Sequence, residues 1–264
     1  MSKSGMLRFE DLRGAYRLIG ECRDLGSDPA LWYPHMLEGL CRLVGSAAAT
    51  GGEGKWSRPH GDLEAISVFG TGFDTRGREL YAEYMRQVTP GGDPVFRALR
   101  RIPGRLVTRS RGQLISDGAW YRSVIWNEFQ RPARIDGQLA SVFQIADDGA
   151  MGAICLHRAI GARRFSSRDR RLVSMFHAEL GPLIGRSLVS AAEPRLDSLP
   201  LRLRQTLACL IEGDSEKQAA ARLGLSLATT HEYVTVLYRR FKVRSRAQLM
   251  AYVIRRGASA FTSH

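Results

Sequence analysis

The stretch that most narrows the fold is "LGLSLATTHEYVTVLYRRFKV", residues 223 to 243. Thr230, Val234, Leu237 and Phe241 fall at i, i+4, i+7 and i+11, the spacing of a stripe buried along one side of a helix. His231, Glu232, Thr235, Arg239 and Lys242 point the other way. Staying in solution does not require such a His-Glu-Thr-Arg face, so the face raises the question of what it touches.

Three more short helices are predicted around it. In "RLRQTLACLIEG", Leu203, Leu207, Leu210 and Ile211 share a face, and Gly213 suits a helix C-terminus. "SEKQAAARLG" opens with Ser215 and Gln218 at capping-box spacing and closes at Gly224. Its stripe of Ala219, Ala220 and Leu223 lets a neighbouring helix approach closely. Ser226 caps the next helix, and Ser245 with Gln248 opens the last as a second capping box. Only "LGLS" joins the second helix to the third. Two short helices across a Gly-containing turn, the second amphipathic and basic-flanked, make a helix-turn-helix within an all-α four-helix C-terminal domain.

The first 190 residues read differently. Helices are expected through "FEDLRGAYRLIGECRDLG" and "PALWYPHMLEGLCRLVG", with helical pieces at "GRELYAEYMRQV" and "WYRSVIWNEF". Strands are expected at "AISVFG", "GRLVTRS", "LASVFQIA" and "AMGAICLHRA", the last two forming a hairpin turned by "DDGA". "SSRDRRLVSMFHAELGPLIGRSL" closes the region as a long amphipathic helix capped by Ser166 or Ser167. The sum is an α+β N-terminal domain, an antiparallel sheet with flanking helices. "SLVSAAEPRLDSLP" is poor in periodicity and carries two prolines. The expected organisation is therefore 1–192 as the N-terminal domain, 193–198 as linker and 199–264 as the helix-turn-helix domain.

Composition bounds the class. The chain has 264 residues, with 44% hydrophobic and 25% charged side chains, as in a folded soluble protein. No run approaches the length and apolarity of a membrane span, and the start lacks the apolar core of a secretory signal, so a cytoplasmic location is expected. Cys22, Cys41, Cys155 and Cys209 share no short spacing, which predicts reduced, mostly buried thiols rather than a zinc site or disulfide framework. The net charge is +13. From Arg195 onward there are twelve basic and five acidic side chains, +7 on the last 70 residues. Basic charge concentrated there suggests a polyanionic partner, with a solvated basic surface as the alternative.

The N-terminal region shows no catalytic constellation. "TGGEGKW" superficially resembles a phosphate loop but has Ala49 where the leading Gly belongs and no Ser or Thr after Lys55. "GTGFDTRG" does not fit dinucleotide spacing. His35, His60, His157 and His177 are dispersed, without metal-ligand spacing. No G-x-S-x-G elbow and no phospho-receiver pattern is present. Neither a catalytic site, a metal nor a cofactor is expected. Trp120, Tyr121, Trp126 and Phe129 are candidate lining residues for a small-ligand pocket, or plain core. Arg97, Arg100, Arg101, Arg105, Arg109 and Arg111 would either serve an anionic ligand or form a solvated basic face.

Residues 199 to 254 resemble the LuxR-type helix-turn-helix of bacterial transcription regulators. Arg202, Arg204, Leu207, Glu212 and Gly213 match its first helix region, and Lys217, Ala220, Ala221, Leu223, Gly224 and Ser226 the second helix and turn. Thr229, Val234, Tyr238, Arg239, Val243, Arg244, Ser245, Arg246 and Leu249 match the last two helices. The N-terminal domain resembles a GAF or PAS-like sensor domain in element order and in phrases such as "WNEFQRPARIDGQL" and "ARRFSSRDRRLVSMF". The resemblance implies a transcription regulator that binds double-stranded DNA as a homodimer, works with RNA polymerase and senses a small-molecule or protein signal.

It further implies that the third helix enters the major groove. There, His231, Glu232 and Thr235 face base edges, while Lys217, Tyr233, Arg239 and Arg240 lie near phosphates. Thr229 either caps locally or touches a phosphate. Glu232 either accepts from a cytosine amino group or pairs with Arg239 or Arg240. In the family the fourth helix dimerises; here Leu249, Met250 and Val253 serve that purpose or pack on the first helix. The chain departs from the usual residues at Leu203, Thr230, His231 and Tyr233, so an operator sequence does not carry over. Three rivals stand beside this reading: a sigma-factor-like role, a protein-interaction module, and an enzyme tethered to DNA.

Overall fold

The computed structural model describes residues 5–56, 63–87, 93–146, 149–191, 199–241 and 243–255. Two compact units, Met1–Ala192 and Glu193–His264, divide the chain. The linker expected at 193–198, and Lys242 with it, lies outside the described residues.

The first unit opens with two helices, α1 (Phe9–Asp24) and α2 (Pro29–Val44). Asp28 caps α2 by accepting from the Ala30 amide at 2.9 Å, and Gly45 ends it in the left-handed conformation at φ 67°. Five antiparallel strands follow: β1 (Ala48–Trp56), β2 (Leu63–Thr71), β3 (Leu106–Ser110), β4 (Ile135–Gln144) and β5 (Ala150–Ala159). Their order is β2-β1-β5-β4-β3. Between β2 and β3 lie α3 (Thr75–Gln87) and α4 (Pro94–Arg100). After β3 come α5 (Arg111–Leu114), α6 (Asp117–Tyr121) and a π-helical turn, Ile125–Gln130. The last helix of this unit is α7 (Ser167–Leu180). This is the α+β arrangement that the strand and helix patterns indicate.

Alternation along the strands divides the core. Leu139, Ile154 and Leu156 join Trp32, Met36, Leu37, Leu40 and Phe176 under α1, α2 and α7. Their neighbours Ala140 and Cys155 face the opposite side, among Val95, Leu99, Trp120, Ile125 and Trp126.

Three elements differ from expectation. The rejected phosphate-loop segment is part of β1, the strand that pairs with both β2 and β5. Its glycines hid it from propensity, and the packing requires at least one of them: a Cβ on Gly52 would stand 2.0 Å from the Ser67 carbonyl oxygen. The helix expected to run to residue 188 stops at Leu180, where a 3₁₀ turn, Gly181–Leu183, takes over. Pro182 removes the amide the helix would need there. The segment "WYRSVIWNEF" divides between α6 and the π-helical turn instead of forming one helix. The hairpin of β4 and β5 is as expected, though Asp147 and Asp148 of its turn lie outside the described residues.

The second unit contains α8 (Leu201–Ile211), α9 (Glu216–Leu223), α10 (Leu227–Arg240) and α11 (Arg246–Arg255). Leu203, Leu207, Leu210, Val234, Leu237, Phe241, Leu249, Tyr252 and Val253 form its core. Ser215 and Gln218 make the expected reciprocal cap, with amide contacts of 2.8 and 3.3 Å. The second box forms in half: the Ser245 hydroxyl accepts from the Gln248 amide at 3.3 Å as expected, while the Gln248 side chain accepts from the Arg244 amide at 2.7 Å rather than from Ser245. Arg246 ties α11 to the end of α8, donating to the carbonyls of Asp214 at 2.7 Å and Leu210 at 2.8 Å.

Candidate nucleic-acid interface and a cavity in the first unit

α10 starts at Ser226, whose hydroxyl accepts from the Thr229 amide at 3.0 Å. The buried stripe is as read: Thr230, Val234, Leu237 and Phe241 are all enclosed. The Thr230 hydroxyl is satisfied there by donating to the Ser226 carbonyl at 3.1 Å. Gly224, left-handed at φ 65°, makes the sharp reversal between α9 and α10 without steric cost.

The opposite face carries His231, Glu232, Arg239 and Arg240, all exposed, with Thr235 half-buried beside them. Lys217, in the first turn of α9, is exposed as well. Tyr233 is half-buried and packs partly on the core. The Thr229 hydroxyl lies 2.8 Å from that of Ser226, a local cap contact. The sequence missed one contact on this face. The His231 Nδ1 atom lies 3.0 Å from a carboxylate oxygen of Glu216, the first residue of α9. No spacing rule links residues on two different helices, so only the packing of α9 on α10 reveals it.

Leu249 and Val253 are buried in the core of this unit and Met250 is half-buried, so of these three residues only Met250 keeps accessible surface. Ile254 is the exposed apolar residue of α11, at 73%. Arg222 pairs with Glu212 and, at 3.2 Å, with Asp214, which ties α9 to the end of α8.

In the first unit a cavity of about 100 Å³ opens on the side of the sheet away from α1 and α2. β1, β4 and β5 form its floor; α3, the start of α4 and the π-helical turn form its walls. Phe129 is one of the lining residues. Trp120, fully buried, and Trp126 belong to the packed cluster beside the cavity, and Tyr121 is exposed, donating to Asp136 at 3.0 Å. None of the six arginines from 97 to 111 lines it. Arg111 is buried against the rings of Trp120 and Tyr121, at 5.6 and 5.5 Å, and paired to Asp117 at 2.5 Å.

No sequence pattern marks the polar groups of the cavity. Asp93 is buried, accepting from the Tyr84 hydroxyl at 2.5 Å and the Val95 amide at 2.6 Å. Burial pushes its carboxyl above the usual range, against the opposing pull of those hydrogen bonds. Tyr81 and Tyr84 project from one side of α3, an i, i+3 pair. On the floor, Gln138 and His157 are cross-strand partners on β4 and β5. Burial pushes the His157 imidazole down to about 4, so it is neutral. Among the described residues, neither His157 Nδ1 nor Gln138 Oε1 has a hydrogen-bond partner. Glu53 of β1 borders the cavity, but its carboxylate lies on the α2 side of the sheet, accepting from Tyr33 at 3.0 Å, from the Ala191 amide at 2.7 Å and from the Ser190 hydroxyl.

Among the described residues no group of three or more His, Cys, Asp or Glu stands where it could hold a metal, and no helix is long and apolar enough to cross a membrane. The four cysteines are free.

A short amphipathic helix presented across a left-handed glycine turn, on a four-helix core, defines the second unit as a helix-turn-helix domain. Residues 197–253 match the family described as bacterial regulatory proteins, luxR family, and this segment is a LuxR-family helix-turn-helix domain. The comparison with curated proteins finds no match. Among solved structures the chain is similar to Escherichia coli SdiA, at 11% identity over 96% of this chain and 99% of that one, with a TM-score of 0.45. A second SdiA structure, in complex with octanoyl-rac-glycerol, gives 11% identity over 97% and 95%, at a TM-score of 0.39. A third is the N-acylhomoserine-lactone-dependent LuxR-family factor CepR2 of Burkholderia cenocepacia, at 14% identity over 66% and 96%, with a TM-score of 0.40.

Proposed function

We propose that the chain is a sequence-specific, dimeric DNA-binding transcription regulator whose α10 lies in the major groove. The observation that carries this reading is the division of α10: every residue of its apolar stripe is buried, while His231, Glu232, Arg239 and Arg240 stay exposed on one side. In this reading His231, Glu232 and Thr235 meet base edges. Lys217, Tyr233, Arg239 and Arg240 meet phosphates, neutralising charge and setting affinity. Thr229 contributes through the cap of α10. α11 supplies the dimer contact through Ile254 and the accessible part of Met250. RNA polymerase is the partner through which binding alters transcription.

The first unit is proposed as the sensor, with domains bounded at 1–192 and 199–264. Its cavity is walled by Tyr81, Tyr84, Phe96 and Phe129, and no lysine or arginine lines it among the described residues. The ionisable groups facing it among the described residues are Asp93, the tyrosines, Cys155 and a neutral histidine, so an anionic ligand is disfavoured. A compact, mostly apolar ligand carrying hydrogen-bond donors suits it, with Gln138 and Asp93 as acceptors. The test is selection from random-sequence DNA with the full-length protein. Recovery of a two-fold-related motif with half-sites about one helical turn apart supports the reading, and recovery of unrelated sequences rejects it.

A further inference from the structure

We infer that Glu216 is a specificity-positioning residue: it fixes the tautomer of His231, so that this side chain reads an amino-bearing base, adenine or cytosine, and not guanine. The inference rests on the reading of α10 as the base-reading helix.

A histidine is an ambiguous reader. In the neutral ring one nitrogen donates and the other accepts, and which does which is set by the partner of the other nitrogen. Here the partner is defined. Nδ1 of His231 lies 3.0 Å from Oε2 of Glu216. An ionised carboxylate offers acceptors alone, so the ring must donate at Nδ1. That leaves the lone pair on Nε2, the atom at the far end of the ring. The imidazole is 69% exposed and the Glu216 side chain 35%, so the pair leaves Nε2 open while the carboxylate is partly sheltered between the helices.

Glu216 itself is well fixed. It is the first residue of α9, directly after the Ser215 cap, where a carboxylate is favoured by the helix dipole. α9 packs against α10, and its Ala219 and Ala220 are buried. The carboxylate is therefore part of the scaffold that presents α10.

An acceptor at Nε2 has defined complements in the major groove. Adenine N6 and cytosine N4 donate there, whereas guanine presents N7 and O6 and thymine O4, all acceptors. His231 held in this form gains a hydrogen bond from adenine or cytosine and opposes an acceptor on guanine or thymine. With the carboxylate removed the ring is free to carry its proton on Nε2, and the preference weakens or inverts.

The test uses the full-length protein at pH 8.5, about two units above the ordinary value of a histidine. Wild type, Glu216→Gln and His231→Ala are each taken through selection from random-sequence DNA, and the selected sites are then varied one base at a time in competition binding. The expected result is one position per half-site where wild type prefers adenine or cytosine by about fivefold, the size of one hydrogen bond. Both substitutions abolish that preference while the remaining positions keep theirs. The side-chain amide in Glu216→Gln keeps the shape of the carboxylate but both donates and accepts, so it does not fix the ring. Uniformly tighter binding by Glu216→Gln, from the lost negative charge, leaves the ratio between bases untouched and so overturns the inference. Nitrogen-15 spectra of histidine-labelled protein provide a second readout. The His231 signals, assigned by their loss in His231→Ala, report a proton on Nδ1 in wild type and a shift toward Nε2 in Glu216→Gln. A guanine preference at the His231-dependent position, or a base preference and tautomer unchanged by Glu216→Gln, overturns the inference while leaving DNA reading intact. Absence of any base preference in wild type overturns the base-reading role of α10 and this inference with it.

Discussion

His231 and Arg239 stand eight positions apart on α10, both exposed, yet they differ in what they can do. In the proposed reading an imidazole held by Glu216 has one nitrogen to offer and reads one base edge, whereas a guanidinium on a flexible stem finds any phosphate. His231→Ala is expected to reduce discrimination between the selected site and random DNA by about 1 kcal/mol with little change in non-specific affinity. Arg239→Ala is expected to weaken both to a similar degree and to lower the slope of log K against log salt by about one. Titrations at several salt concentrations separate the two, and an equal loss on both DNAs for His231→Ala contradicts its role. At this scale the outward face of α10 was legible in the sequence, because helical periodicity alone divides buried from outward positions. The contact with Glu216 was not, since it joins two helices. Neither were the cavity residues Asp93, Gln138 and His157, which are brought together by strand register and by the packing of α4 on the sheet.

The helices of the second unit were legible because each carries its own punctuation. Ser226 starts α10, and Ser226→Ala is expected to cost about 1 kcal/mol of stability in that unit, read as a lower midpoint in denaturant. β1 shows the opposite case. A strand with glycines at 51, 52 and 54 has poor propensity, and it exists because neighbours on both sides supply its hydrogen bonds and leave no room for a Cβ at Gly52. The buried histidines belong to this scale too. His177 on α7, 2.8 Å from the Ser141 hydroxyl of β4, is pushed by burial to about 3, and His157 on β5 to about 4. The unfolded chain takes up these protons near about pH 6.5 and the folded chain does not. Their stabilisation is therefore full above that pH and falls with acid, by about 1.4 kcal/mol per pH unit for each histidine until the folded values are reached. Asp93, pushed up by burial, works in the opposite direction. The His177 share is thus isolated by comparing wild type with His177→Asn in urea between pH 7 and pH 5, where the wild-type slope should be the steeper.

At the scale of the whole molecule, the chain joins a unit built around a sheet and cavity to a helix-turn-helix unit. Along the sequence the hydrophobic period changes from mixed to purely helical, and the basic charge gathers in the last 70 residues. The cavity was not legible, since enclosed volume is a property of packed surfaces. Glu53 joins distant parts of the first unit: its carboxylate receives hydrogen bonds from Tyr33 of α2 and from Ser190 and Ala191, where the chain leaves that unit. Glu53→Gln is expected to destabilise the first unit by about 1.5–3 kcal/mol, the worth of hydrogen bonds to a charged acceptor, without altering the unfolding of the second. Calorimetry, in which the two transitions are followed separately, checks this.

The most direct test of the account is the affinity of the full-length protein, by fluorescence anisotropy across a salt series, for a fragment selected from random DNA and for its scrambled counterpart. The account predicts binding that falls steeply with salt on both, and a preference for the selected fragment that persists as the salt rises. Binding that is equal on the two fragments at every salt concentration would contradict it.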